Sequence, residues 1–370
     1  MGKMKKYAVI DIGTNSMRLL LAIITENHRD NTFGFVERKK YINTTRIGAC
    51  VDKNKTISQE GIEKNAEAFY NFVQKAREFG VEEILAIATS AVREAKNKEE
   101  FIQAIYQKTG INIKIISGEE EAELGYKGVI MGLEYHCPCA PVIVIDMGGG
   151  STELILGTIH GDVTKTISLD IGAVRMTEKF ITTDPVDKEE YKKMKTAIYE
   201  TIEGYGRDNG TGNHGDWSHG RSFLVRGPVP VVFSETDSGN DPRHSGAYSS
   251  CVMHPNDTKR PSPCVPYLTA VGIGGTITTL AALHQELDPY DPEKVHNYKL
   301  TLENINDLKE KLLPLTVQQI KRLKGIHPKR ADIIIAGITI LSIIMDSLNL
   351  KEITVSEYDN LEGTLYTSLF

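Results

Sequence analysis

A chain of 370 residues with 25% charged and 40% hydrophobic side chains is long enough for two cores, which excludes a disordered or fibrous protein. The net charge of −6 argues against a nucleic-acid-binding surface, and no apolar run reaches membrane-spanning length. Five cysteines (Cys50, Cys137, Cys139, Cys251, Cys264) form no recognisable framework, and MGKMKKYAVIDIG enters a strand without a secretory h-region, so a reducing cytoplasm is expected.

The first element is Tyr7–Ala22, YAVIDIGTNSMRLLLA, which reads as a strand, a tight turn and a returning strand. Gly13 permits a turn whose N–H groups face outward, and Thr14, Asn15 and Ser16 add short polar side chains, together making an anion cradle. Asp11 sits at its mouth, where a carboxylate facing phosphate needs a cation or an attacking water between them. An ordinary Asp–Gly hairpin explains this stretch equally well. Thr32–Tyr41 is a further strand. Ser58–Phe79 is a helix with Ser58 as its cap, Ile62, Ala66, Phe69, Val73 and Ala76 on one face, and Gly80 at its end.

Glu83–Ala88 is a buried strand leading into a polar turn that carries Arg93, a position where α/β folds place ligand groups. Arg93 can clamp phosphate through its planar fork, although the local sequence favours a solvated arginine before helix Glu99–Gln107. After a strand at Ile111–Ile116, Ser117 and Glu120 have capping-box spacing. That gives Glu120 a structural role and leaves Glu119 and Glu121 without one. A carboxylate at such a helix start is a candidate general base. His136-Cys137-Pro138-Cys139 lacks a second pair at metal-site spacing and reads as an exposed loop.

Val144–Gly157, VIDMGGGSTELILG, repeats the first hairpin. Asp146 matches Asp11, Gly148 matches Gly13, Ser151 matches Ser16 and Glu153 matches Arg18, at a constant offset of 135. The repeat predicts two similar domains, each giving one phosphate loop to a shared cleft. Asp146 and Glu153 add hard oxygen ligands of the kind Mg²⁺ uses beside phosphates, while Glu153 could instead pair with a cation across the cleft. Asp184-Pro185 is expected to open a helix running to about Gly204.

Gly206–Cys264 differs from the rest: it holds four of the ten histidines, the only tryptophan, and one Lys against five Arg, where the remaining chain has 28 Lys and nine Arg. It reads as an exposed insertion with one strand at Val229–Phe233 and no part in the chemistry. The pattern resumes with a strand entering the Gly272-Ile273-Gly274-Gly275 turn before helix Ile277–Leu287, whose N-terminus is an anion site. Helices Thr301–Leu313 and Val317–Leu323 follow, then a buried helix Ala331–Leu348 in which Gly337 allows close packing. Ile353–Ser356 is the last strand and Glu362–Phe370 the closing helix.

VIDIGTNSMRLL, ATSAVREA, ISGEEEAELGY, VIDMGGGSTEL, GIGGTITTLAAL and KRADIIIAGITIL, in this order, closely resemble the Ppx/GppA phosphatase family. The resemblance implies an α/β architecture of two RNase H-like domains of the actin, sugar-kinase and Hsp70 superfold with an interdomain cleft. The first domain would span residues 1–124 plus about 355–370, and the second 125–354, in the short two-domain form. It further implies exopolyphosphatase activity on the terminal phosphoanhydride of inorganic polyphosphate or guanosine pentaphosphate, guanosine tetraphosphate as a related ligand, Mg²⁺ or another divalent cation as cofactor, and a homodimer.

By position, Glu121 would activate water and Arg93 grip the terminal phosphate, reversing the local reading of that arginine. Asp146, Glu153 and Asp11 would form the metal region. Gly13, Thr14, Asn15, Ser16, Gly148, Gly149, Gly150, Ser151, Thr152, Gly274 and Gly275 would cradle the phosphates. The chain departs from the family's Gly-Leu-Arg-Glu-Gly at Asp359-Asn360-Leu361-Glu362-Gly363, so a contact that closes the cleft or holds a distal phosphate is expected to be weakened. A kinase of the same superfold and a non-catalytic polyphosphate or alarmone sensor are the alternatives.

Overall fold

The computed structural model describes residues 4–27, 32–50, 55–133, 141–208 and 268–369. The expected strand Val229–Phe233, nearly all of the compositionally distinct segment, and Cys137, Cys139, Cys251 and Cys264 lie outside the described residues.

The first sheet is built on β1 (Met4–Ile12), buried from Tyr7 to Ile12 as befits a central strand. β2 (Met17–Asn27) returns antiparallel in a register that sets Asp11 opposite Arg18, and β3 (Thr32–Asn43) pairs with β2 at the edge. After a 3-10 turn at Ile47–Cys50, α1 (Gln59–Phe79) covers the sheet with Ile62, Phe69, Val73 and Ala76. Ser58 caps α1 by accepting from the Gly61 N–H, and Gly80 ends it at φ 78°, a conformation open to glycine. β4 (Glu83–Ala88) lies parallel to β1, followed by α2 (Ser90–Arg93), α3 (Lys98–Thr109) and β5 (Lys114–Ile115). The expected strand Ile111–Ile116 shrinks to those two residues because only they pair with β4.

α4 (Gly118–Gly132) begins with the capping box of Ser117 and Glu120. The second sheet follows with β6 (Val142–Met147), β7 (Thr152–Gly157) and β8 (Val163–Leu169), then α5 (Ala173–Phe180) and α6 (Lys188–Asp208). α6 starts three residues later than the Asp184-Pro185 signal implied. Asp187 accepts from the Glu189 N–H at its N-terminus, while Asp184 accepts from Val317 N. Next come β9 (Thr269–Ile273), α7 (Gly275–His284), α8 (Pro292–Val295), β10 (Lys299–Thr301), α9 (Leu302–Leu312), α10 (Val317–Ile320), α11 (Ile334–Ser347) and β11 (Glu352–Val355).

The first sheet runs β3-β2-β1-β4-β5 and the second β10-β11-β9-β6-β7-β8. Reading the second from β8 to β11 gives the same order and the same mixture of antiparallel and parallel pairs. The repeat seen in two hairpins thus extends to two whole sheets. α11 is buried almost throughout, and a Cβ on its Gly337 would lie 2.3 Å from Thr276, so glycine is what lets α7 and α11 touch.

α12 (Asn360–Leu369) crosses back to the first sheet, where Leu361 and Leu365 pack on Tyr7, Val9 and Leu20. It also lies against α4. A Cβ on Gly128 would fall 2.0 Å from Asp359 O, and one on Gly363 1.8 Å from Leu124 O. α4 in turn places Ala122, Tyr126 and Val129 on the second sheet. The two sheets are therefore joined through this helix pair.

Candidate active site

The two hairpin turns are closed alike, by Gly13 N donating to Ser16 O at 3.1 Å and Gly148 N to Ser151 O at 3.0 Å. Thr14 bonds the Ser90 hydroxyl at 2.8 Å, tying the first loop to the turn that carries Arg93. Gly274 adopts φ +93°, and a Cβ there would come within 2.5 Å of Met147 O and 3.2 Å of the Asp146 Oδ1, so the third loop presses directly on the second. Arg330 holds Gly275 in place, donating to its carbonyl and to the Thr279 hydroxyl at 2.8 Å. Thr152 differs from the other cradle residues. It is buried, and its hydroxyl donates to Ile171 O at 2.6 Å, so it braces the second loop from behind.

Charge is distributed unequally between the halves. Arg18 donates to the Asp11 Oδ2 at 2.5 Å and to the Asp359 Oδ2 at 2.7 Å. Lys40 reaches Asp359 at 3.2 Å and Glu362 at 2.9 Å, and Arg38 also meets Glu362 at 2.9 Å. Burial alone would raise Asp359, but the Arg18 and Lys40 charges hold it down at about 2. At the matching register of the second hairpin Asp146 faces Glu153, and burial, then the Glu153 charge, push Asp146 up to about 7.

Glu121 stands at the start of α4, its carboxylate 3.2 Å from the Arg93 Nη1, which also donates to Ile116 O at 2.8 Å. Burial raises the Glu121 pKa, the Asp11 charge adds to this, and the Arg93 hydrogen bond opposes it. Glu121 and Asp146 each feel the Glu153 charge, and Glu121 that of Asp11, so the four carboxylates lie within electrostatic reach of one another. A carboxylate of raised basicity, fixed by an arginine and set among glycine loops, can take a proton from water attacking a bound phosphate.

Among the described residues, no three His, Cys, Asp or Glu side chains converge into a cation site by themselves. A hard divalent cation nevertheless fits the chemistry present. The Asp11 Oδ1 is buried without a hydrogen-bond partner, and Asp146 and Glu153 offer only oxygen. Such a cation would complete its shell with water and phosphate oxygens, as Mg²⁺ commonly does.

The family model for the Ppx/GppA phosphatase family matches residues 24–223 and 261–370. The chain belongs to the Ppx/GppA phosphatase family. It is 28% identical to exopolyphosphatase 2 of Mycobacterium tuberculosis over 367 residues, covering 97% of each. It is also 33% identical over 362 residues to the bifunctional 3-dehydroquinate synthase/phosphatase of Fusobacterium nucleatum, spanning 97% of this chain but only 46% of that protein. The Ppx/GppA family member of Aquifex aeolicus superposes with a TM-score of 0.72 at 28% identity, covering 99% of this chain and 98% of that one. The architecture is thus that of this family, in the actin-like superfold, and the chain is a hydrolase by family.

Leu361 stands apart from the expected cleft contact. Its side chain is fully buried against Tyr7, Val9 and Leu20, so this position serves the core. The site residues that sequence reasoning did not single out are Lys40, Asp359 and Arg330. Arg18 entered only as the counterpart of Glu153. Lys329-Arg330 stands in one of the quoted motifs, but its contact with Gly275 joins residues 55 positions apart.

Proposed function

We propose that this chain hydrolyses the terminal phosphoanhydride of inorganic polyphosphate, with guanosine pentaphosphate, which would yield the tetraphosphate, as the competing substrate. The observation that carries this reading is the placement of Glu121 at 3.2 Å from Arg93, in charge contact with Asp11 and Asp146 at the mouths of the two repeated loops. Glu121 takes the proton of the attacking water. Arg93 neutralises charge developing on the terminal phosphoryl oxygens while keeping Glu121 oriented. The Gly13–Ser16 and Gly148–Ser151 loops bind the phosphates through backbone N–H groups, with Gly274-Gly275 as a third anion contact. Asp146, Glu153 and the free oxygen of Asp11 would hold Mg²⁺, which when bound lowers the negative charge of the phosphate. The same activity in an exopolyphosphatase matched over 97% of both chains supports the polyphosphate arm. The reading takes the cytoplasm as the setting, and no helix among the described residues is long and apolar enough to cross a membrane.

The deciding experiment is phosphate release with Mg²⁺ from long-chain polyphosphate and from guanosine pentaphosphate, side by side, with Glu121→Gln as control. Release abolished by the substitution supports the assignment, and the faster substrate names the main role. Folded protein that binds either compound without turnover would replace the hydrolase with a sensor.

A further inference from the structure

The two loops match residue for residue at an offset of 135, yet their carbonyls are held by different means. In the first, Thr14 O accepts from the Gly48 N–H and Asn15 O from the Arg46 N–H, both at 2.9 Å, so backbone amides do the holding. In the second, Gly148 O accepts from Ala173 N at 3.2 Å, and Gly149 O from Val174 N and Arg175 N at 2.9 Å. The next carbonyl, Gly150 O, is the counterpart of Asn15 O. It accepts from a side chain, the Arg175 Nε at 2.6 Å.

A planar trans peptide points its C=O and the following N–H in opposite directions. Fixing Gly150 O therefore fixes the Ser151 N–H on the other side of the loop, just as fixing Asn15 O aims the Ser16 N–H. Three consecutive glycines have little steric preference of their own, so this peptide needs an outside tether more than its counterpart does. Gly172 makes the tether possible: a Cβ there would lie 2.4 Å from the Gly149 carbonyl, so only glycine lets α5 seat against the loop. The other contact of Arg175, to Asp170 at 3.6 Å between exposed side chains, contributes little.

We propose that Arg175 is a positioning residue for the second phosphate loop, holding the Gly150–Ser151 peptide so that the Ser151 N–H faces the substrate phosphate. This rests on the polyphosphatase reading above. The test compares Arg175→Met, which keeps length without a donor, with Arg175→Lys, which keeps a donor. Steady-state kinetics on polyphosphate are measured alongside calorimetric titration of inorganic tripolyphosphate.

Arg175→Met is expected to lower kcat/KM on polyphosphate roughly 10- to 100-fold and to weaken tripolyphosphate binding, as a misplaced phosphate donor does. Arg175→Lys should recover most of the loss. Unchanged kinetics in Arg175→Met, or equal damage in both variants, overturns the proposal. If the wild-type protein binds tripolyphosphate but hydrolyses nothing, the functional reading falls. The titration then decides on its own: weaker binding in Arg175→Met, restored by lysine, upholds the positioning role, and equal binding overturns it.

Discussion

Asp146 lies directly across its hairpin from Glu153, at the register where the first hairpin sets Asp11 against Arg18. One fold position thus holds a neutralised carboxylate in one half and an acid pair in the other. The first finds its countercharge within the protein, at one carboxylate oxygen of Asp11, whereas the second gains most from an added cation.

Mg²⁺ binding should accordingly depend on pH. Asp146, raised to about 7, must lose its proton before it can hold a cation. Thermal denaturation with Mg²⁺ and with a chelator should show the larger stabilisation at pH 8 than at pH 6. Glu153→Gln removes one proposed ligand and should weaken Mg²⁺ affinity about tenfold or more. An equal Mg²⁺ effect at both pH values would count against this site.

Arg93→Ala should act on rate and on pH profile together. Its hydrogen bond and charge lower the Glu121 pKa against the upward push of burial. Without it the base becomes harder to ionise, and the acid limb of kcat/KM moves to higher pH. The rate at the optimum should fall roughly 100-fold or more from the lost phosphate contact. A lower rate with an unmoved acid limb would separate Arg93 from Glu121.

His296 makes the fold sensitive to mild acid. Burial, then the Arg38 charge, lower its pKa to about 4, and its Nδ1 accepts from Glu357 N while its Nε2 bonds Gly132 O at 2.9 Å. Between about 4 and 6.5 the unfolded chain binds a proton that the native state refuses, so stability rises with pH across that window. Urea unfolding should show roughly 2 kcal/mol lost on going from pH 7 to pH 4.5, and His296→Gln should flatten that slope.

Glu362 is fully buried and survives there because Arg38 and Lys40 both meet it at 2.9 Å. Arg38→Met leaves a buried carboxylate with one partner fewer and should cost about 3 kcal/mol in urea unfolding. Leu361→Arg, which restores the family's residue, places a cation in the packing of Tyr7, Val9 and Leu20. It should destabilise the fold by several kcal/mol, roughly the cost of an unpaired buried charge, without raising phosphate release.

Local signals in the chain were strong where structure is local. Ser58 and Gly80 mark both ends of α1, and the Asp–Gly turns mark both hairpins, because capping and turn conformation depend on a few neighbouring residues. β8 and α5 were illegible for the converse reason. β8 buries only Ile167 and Leu169, and α5 only Ala173 and Met176, too few positions to show a period. The candidate site was half legible. Asp146 and Glu153 stood out by residue type at the second turn, while at the helix start residue type left Glu119 and Glu121 open and only the family resemblance chose Glu121. The Arg18–Asp359 pair joins residues 341 positions apart, a distance over which spacing carries no information.

The return of α12 to the first sheet bears on how the polypeptide is made. Tyr7, Val9 and Leu20 leave the ribosome early, but Leu361 and Leu365, which cover them, belong to a helix made much later in the chain. Until that helix emerges the nascent chain displays an uncovered apolar sheet face, the kind of surface that aggregates or engages a chaperone. The second sheet, whose strands and covering helices are nearly contiguous in order, can close sooner. The strand that carries Asp11 is therefore among the first made and among the later ones to be covered.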